Sequence, residues 1–443
     1  MKKKILVASL FSTLVLAACG SQPDTTGSGS SGSTKDAEAV TIKFAWWGAD
    51  NRHDAMQDVV ALFEEEYPHI TVNTEYGAWD GWQEKTLTQL SGKTEADVMQ
   101  VNYNWLFSFG KGKNIFMDLN EVSDYLTLDN WESSYLEAMQ VGGEQAAVPH
   151  GMTGRVPLMN QALYEANGLE LPTTYDDLLA AGEVIAKGNT PTGEDNQYAY
   201  LNVGEFSLDL FIAQMLYNYT GKIMQTAGTV NYSVAEVKEV LERYKELEDA
   251  GALPTFEQTS PIDTESNLQW VEGNAGSVYE WANSLAKWTN SYKGGDGLDE
   301  LVVGDFLQVD ADSKPSIYVK PNFGYAISKN SKHPEAAATF IEFLFTNEQA
   351  VKAAGDSLGI SSNTVCYDLQ VANQLVEGAV AEGYAKLDDY EQTVLDPYFE
   401  DENVRGERYT VYEAFRTGKF TSEEAAKQFI EKQQAALDKY YQE

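Results

Sequence analysis

The chain has 443 residues, a formal net charge of −37 and 43% apolar residues, enough length for two or three domains and an ordinary share of core-forming side chains. Its 68 acidic residues against 31 basic ones argue against a nucleic-acid partner and against docking on anionic lipid through a basic face. Only two cysteines occur, Cys19 and Cys366, which excludes a disulfide framework; a protein of this size needs none.

Lys2, Lys3 and Lys4 form a positive segment, followed by an apolar run from Ile5 to Ala18. That run is short of the ~20 residues that cross a bilayer as a helix, and residues 1–18 read as a signal peptide. It ends in Leu16-Ala17-Ala18-Cys19, which resembles the bacterial lipobox, where cleavage before the cysteine frees it for lipid attachment. Several acyl chains on one residue anchor stably where one is marginal. Residues 19–39 are then the lipidated cysteine and a Ser-, Gly- and Thr-rich tether, with a typical span of roughly 25 Å. Losing the three lysines takes the mature chain to −40. The expected product is a soluble, monomeric body on the extracellular face of the membrane, held there through Cys19. Cys366, left alone, is expected to be a small buried residue.

Val40, Ile42 and Phe44 open a first strand, which runs into Trp46-Trp47-Gly48-Ala49-Asp50-Asn51-Arg52. Met56, Val59, Val60 and Phe63 recur at helical spacing immediately after. A strand, an aromatic-polar loop and a helix in that order make a ligand crevice at the end of an α/β sheet. A core role for the two tryptophans, with Asp54 and Gln57 capping the helix, accounts for the window equally well at this point. Successive strand residues face opposite sides, so Trp46, in phase with Ile42 and Phe44, suits the core and Trp47 the crevice.

His69–Thr74 reads as a second strand, Trp79–Gln83 opens a helix, and Ala96–Val101 is a third strand leading into a second aromatic-amide loop, Asn102-Tyr103-Asn104-Trp105. Strands alternating with helices point to mainly parallel sheets. Residues 146–160 are extended and twice interrupted by proline; Thr174 with Asp177, and Ser233 with Glu236, have the spacing of helix caps. Gly276–Asn283 is a strand ending in an aromatic, Trp281. Lys320–Ser328 is a second extended stretch, Pro334 starts a helix, Leu358–Asn363 is a third short extended piece, and the C-terminus is helical.

Taken in order, these parts resemble bacterial extracellular solute-binding proteins of ABC transporters, in the carbohydrate-binding, maltose-binding-protein-like group. The resemblance runs from about Val40 to the C-terminus. It rests on the lipobox and tether, Leu62–Ile70, Ala96-Asp97-Val98, Phe116–Leu119, Asn160–Tyr175 and Lys332–Ala337. It implies an α/β fold of two lobes, each a mainly parallel sheet flanked by helices, joined by three hinge crossings near 146–149, 320–324 and 359–362. Lobe 1 is then 40–147 plus 323–360, and lobe 2 is 148–322 plus 361–443. By position, the resemblance puts ligand contacts at Trp46, Trp47, Asp50, Asn51 and Arg52, at Tyr103, Asn104 and Trp105, at Glu205 and Phe206, and at Trp281. Trp79 and Arg155 join them as a further platform and a further cleft cation. It also implies a membrane permease as partner and no cofactor or catalysis.

The residue types suit a sugar. A sugar has a flat C–H face for aromatic platforms and a rim of hydroxyls for amide, carboxylate and guanidinium groups. So many aromatics favour an oligosaccharide. Arg52 and Arg155 fit either an acidic sugar or local ion pairs. Three rival readings compete with this one. A glycoside hydrolase needs two carboxylates at a defined separation, which sequence spacing does not test. A metal-binding transport protein is disfavoured because His53, His69, His150 and His333 are scattered. A polyamine binder on the same fold would also combine aromatics with Asp and Glu, but Arg52 in the cleft opposes a cation. His150, beside a proline at a crossing, is expected to be structural.

Overall fold

The computed structural model describes residues 38–190, 196–202, 204–294, 301–310, 312, 313 and 315–441. The expected signal peptide, Cys19 and nearly all of the tether lie outside them. No helix among the described residues is long and apolar enough to cross a membrane.

The strands, in chain order, are β1 Val40–Trp47, β2 Ile70–Gly77, β3 Val98–Val101, β4 Gln140–Val141, β5 Glu144–Gln145, β6 Val148–Pro149, β7 Met152–Asn160, β8 Gln225–Thr226, β9 Thr229–Val230, β10 Ser277–Trp281, β11 Leu301–Val303, β12 Ser316–Pro321, β13 Gly324–Ile327 and β14 Glu391–Val394. They build two main sheets, ordered β2-β1-β3-β13-β6 and β10-β7-β12-β14, with β11 also on β7; β4-β5 and β8-β9 are small separate hairpins. Each main sheet has its own core. One contains Ile42, Phe44, Val98, Val148, Phe323, Phe340 and Cys366. The other contains Met152, Val156, Phe211, Trp270, Tyr318, Tyr412 and Phe429.

Local sequence explains most of the helices. Met56, Val59, Val60 and Phe63 bury one stripe of the helix Asp50–Glu66. Thr174 with Asp177 and Ser233 with Glu236 form complete capping boxes, each side chain satisfying a backbone N–H of the other residue. Two expectations change. Asp54 lies inside the first helix, whose N-cap is Ala49, so it does not cap. The stretch after β3 is no loop: the Asn102 side chain accepts a hydrogen bond from the Tyr103 N–H and starts a helix, Tyr103–Ser108.

The sheets are less parallel than expected. β2-β1-β3 and β12-β14 are parallel, but β13 runs antiparallel to β3 and β6, and β7 runs antiparallel to β10, β11 and β12. Parallel neighbours need a long crossover connection, usually a helix. β13 instead arrives directly from the other sheet, and so enters against the direction of β1 and β3.

Those direct arrivals are the crossings. Only His150 and Gly151 separate β6 of the first sheet from β7 of the second, and only Asn322 and Phe323 separate β12 from β13. The two links pair with each other: the His150 N–H donates to the Phe323 carbonyl, and the Asn322 N–H to the Gly151 carbonyl, both at 2.9 Å. The third passage, 358–363, joins at the same point. The Ser362 N–H and the Ser361 hydroxyl both donate to the His150 carbonyl, at 2.7 and 3.0 Å. Gly151 has no substitute here, because a Cβ would overlap the Ile360 carbonyl.

The His150 ring is buried, stacked on Phe323 at 5.1 Å and 11°. Burial, with a smaller contribution from the nearby positive charge of Arg52, pushes its pKa down to about 3. The unfolded chain therefore binds a proton near pH 6.5 that the folded chain refuses, and stability falls as the pH drops from about 6.5 toward 3. His150→Gln should flatten the pH dependence of urea-unfolding free energy in that window by about one proton, or ~1.4 kcal/mol per pH unit.

Candidate ligand-binding site

The first-lobe wall is a layered aromatic cluster. Trp46 ends up in the core, fully buried and stacked between Phe44 (4.8 Å) and Tyr76 (4.9 Å). Trp47, on the opposite side of β1, is 9% exposed and meets Trp79, Trp105 and Phe323 at 5.3, 5.1 and 6.1 Å. Trp105, expected at the rim, is completely buried, with Trp79 stacked on it at 5.6 Å and Phe109 at 5.4 Å. The helix that replaces the expected loop turns Trp105 inward. Trp79 is the outermost ring, 41% exposed.

The polar residues nearby divide. Asp50 and Asn51 stand exposed on the first turn of their helix. Arg52 pairs with neither Asp50 nor Asp54 among the described residues. Its Nε and Nη2 donate to the Ser357 carbonyl at 3.0 and 2.8 Å, Nη1 donates to the Trp47 carbonyl at 3.4 Å, and its guanidinium lies 5.3 Å from the Phe323 ring. Gly48 permits this fold-back, since a Cβ there would stand 2.6 Å from the Arg52 side chain. Arg52 thus ties the loop after β1 to the segment before the third crossing. Asn104 is buried with its Oδ1 unpartnered. Tyr103 reaches the other core, its hydroxyl donating to the Leu395 carbonyl at 3.2 Å, and four residues on, Phe107 meets the Tyr398 ring at 6.4 Å.

The second-lobe wall is built on the paired strands β10, β7 and β12. Trp281 stands opposite Arg155, and Lys320 opposite Thr153. Alternation puts Arg155 and Thr153 on one face of β7, and the Arg155 guanidinium and Lys320 Nζ approach the Trp281 ring at 4.9 and 4.5 Å. Arg155 donates from Nη1 to the Tyr279 carbonyl at 2.6 Å and lies 3.3 Å from Glu280; Lys320 pairs with Glu400. Glu205 and Phe206 occupy the first turn of the helix Gly204–Thr220. Phe206 is 38% exposed beneath Arg405, whose guanidinium sits 3.6 Å from its ring and 4.0 Å from Glu205. Arg405 lies in the first turn of the helix Glu402–Arg416. A fully buried pair binds these two helices: Arg408 forks onto Asp209 at 2.8 and 2.6 Å and also donates to the Phe399 carbonyl, while the Tyr412 hydroxyl donates to Asp209 at 3.2 Å.

One strand connects the two walls. Lys320 reaches Trp281, and Phe323 reaches Trp47, so three residues of β12 and its crossing, about 10 Å of extended chain, separate contacts on opposite lobes. That layout, two single-core lobes meeting at triple crossings flanked by aromatics, agrees with the match of residues 49–351 to the bacterial extracellular solute-binding protein family. The chain belongs to that family.

Similar solved structures share the whole architecture with this solute-binding protein. A periplasmic oligogalacturonide-binding protein from Yersinia enterocolitica, in complex with saturated digalacturonic acid, superimposes with a TM-score of 0.81 at 25% identity, covering 91% of this chain and 100% of the other. A periplasmic solute-binding protein from Pectobacterium atrosepticum gives 0.81 at 26% identity, with 91% and 100% covered. A structure described as a de novo designed cysteine esterase gives 0.78 at 25%, with 90% and 98% covered. An uncharacterized ABC transporter extracellular-binding protein of Pyrococcus horikoshii is 22% identical over 78% of each chain. Putative binding proteins of Brucella are 26% identical over 49% of this chain, which spans about half of their length, 52%.

Lys320, Glu280, Glu400, Arg405, Phe323 and Phe109 were not singled out in the sequence. Lys320 and Phe323 lay within a stretch recognised only as a crossing, and nothing local marks Arg405 as a neighbour of Phe206. Cys366 is buried, its thiol pushed up to about 11 by burial, so it is not a ready thiolate nucleophile.

Two consequences are measurable. Trp46→Ala should cost about 3–5 kcal/mol of unfolding free energy, whereas Trp79→Ala should change it by less than about 1 kcal/mol while weakening ligand binding. Asp209→Ala should cost about 3–5 kcal/mol in chemical unfolding because it strands a buried guanidinium.

Proposed function

We propose that this chain is the solute-capturing component of an ABC importer, that its ligand is an oligosaccharide, and that hinge closure traps the ligand between two lobes before delivery to a membrane permease. The single observation behind this reading is the second crossing, which carries an aromatic-lined contact to each lobe within three residues, at Trp281 and at Trp47. Aromatic platforms contributed by both lobes suit the C–H faces of a sugar ring. Micromolar affinity needs about −8 kcal/mol, and two or three platforms with several hydrogen bonds of about 1 kcal/mol each reach it. Similarity to an oligogalacturonide-binding protein at 25% identity supports an oligosaccharide over a single sugar.

In this reading lobe 1 comprises 40–147 plus 323–360 and lobe 2 comprises 148–322 plus 361–443. Packing of Cys366 in the first core favours carrying lobe 1 through the helix Thr364–Ala372. The direct contacts are Trp47, Trp79, Asn104, Arg155, Phe206 and Trp281. Trp46, Trp105 and Arg52 act from behind as support, and Asp50, Asn51, Tyr103 and Glu205 border the cleft. The protein works as a monomer, without cofactor or catalysis, on the extracellular face of the membrane through a lipid on Cys19. The buried Cys366 thiol supports a binder over a cysteine esterase.

The test is a thermal-shift screen of the full-length protein against neutral, amino and acidic oligosaccharides and against spermidine, followed by calorimetry on the hits. A saturating rise in melting temperature with an oligosaccharide, worth ~2.7 kcal/mol at a hundredfold excess over Kd, is expected. Stabilisation by spermidine and by no sugar would sink the proposal, as would turnover of any sugar.

A further inference from the structure

The second-lobe wall gathers three cations and three carboxylates around two aromatic rings. Arg155 and Lys320 have side chains only 5% and 8% exposed, yet both lean on the same half-buried indole of Trp281. Arg405, 13% exposed, covers Phe206 beside them in the fold: Ser207, next to Phe206, donates to the same Tyr279 carbonyl that Arg155 uses. Desolvating a cation is expensive unless it is paired and hydrogen-bonded. Each of the three has a carboxylate, Glu280, Glu400 or Glu205, but the pairing is incomplete.

Glu280 lies 3.3 Å from Arg155 and is also committed to the Trp281 N–H at 2.7 Å. Glu205 reaches only 4.0 Å from Arg405. Arg155 Nε, and Arg405 Nε and Nη1, are buried without an acceptor. Buried donors without partners are rare in native proteins, and a guanidinium carries five of them in a planar fork shaped for a carboxylate. The wall is also where the first turns of two long helices meet, Gly204–Thr220 and Glu402–Arg416. Their N-terminal dipoles add positive potential, offset in part by Asp401, which caps the second helix. The first-lobe wall has no counterpart, because Arg52 is spent on backbone carbonyls.

We infer that the second-lobe wall, through Arg155, Lys320 and Arg405 around Trp281 and Phe206, reads a carboxylate, so that the ligand is an anionic oligosaccharide containing uronate residues. This rests on the oligosaccharide reading proposed above. On binding, the sugar ring stacks on the indole while its carboxylate takes up guanidinium donors that the protein's own carboxylates leave unfilled. A polycation is excluded by the same charges.

The experiment is calorimetric titration of the full-length protein with a panel of oligouronates and with the same oligomers after reduction of each carboxylate to the primary alcohol. At least one acid should bind tenfold to a hundredfold more tightly than its reduced form, roughly what one or two charge-assisted hydrogen bonds supply, and the gap should narrow as salt rises. Arg155→Met and Arg405→Met should each weaken the acid about tenfold more than they weaken the reduced sugar; Arg155→Lys should restore part of the loss. Lys320→Met is the second probe where an arginine variant fails to fold. If the reduced oligomers bind as tightly as the acids, the carboxylate reading is wrong and the oligosaccharide proposal stands. If no acid and no neutral oligosaccharide binds, the oligosaccharide proposal itself falls.

Discussion

The structure depends on a short hydrogen-bonded knot. His150 pairs with Phe323, Asn322 pairs with Gly151, and the Ser361–Ser362 turn caps the His150 carbonyl. Two strands leave one sheet and enter the other through two-residue links, so the ladder between them continues across the gap between the cores. Any rotation of one lobe against the other must be absorbed by these few residues, as hinge motions are elsewhere. Gly151 pressed on Ile360, and a neutral histidine ring stacked on Phe323, leave little freedom in how they absorb it.

The knot also sets the spacing of the walls. Lys320, two residues before Asn322, contacts Trp281, and Phe323, within the knot, contacts Trp47, so the knot lies between two aromatic clusters. Buried rings support exposed ones on the first lobe: Trp105 lies beneath Trp79, and Arg52 braces Phe323 and the backbone of Trp47. A ring held in this way has little side-chain entropy left to lose. On the second lobe the Arg408–Asp209 pair does the equivalent work, fixing the two helices that present Phe206 and Arg405.

A chain of net charge −37 that gathers cations on one cleft wall separates two roles of charge. Exposed carboxylates keep the body soluble, and their field is screened beyond about 8 Å in physiological salt. The buried and nearly buried cations of the second sheet are shielded from that screening and act over contact distances. Net charge therefore says nothing about the sign of the ligand, which is decided by a few desolvated groups.

The sequence by itself determined much of the strand and helix order, both capping boxes, the core role of Trp46 through its phase with Ile42 and Phe44, and the approximate crossings. These are local or periodic properties, written in neighbouring residues. It misjudged Trp105, because one asparagine cap turned an expected loop into a helix, and it overestimated parallel pairing, because strand direction follows from which sheet a link enters. Nothing local shows that Arg52 holds the Ser357 carbonyl, since the two lie 305 residues apart. Only the tertiary structure decided which rings are buried and which cations stand together. Arg155, Trp281, Lys320 and Arg405 are spread over some 250 residues, and no local pattern encodes that they share one wall; the antiparallel register of β10, β7 and β12 and the packing of two helices do.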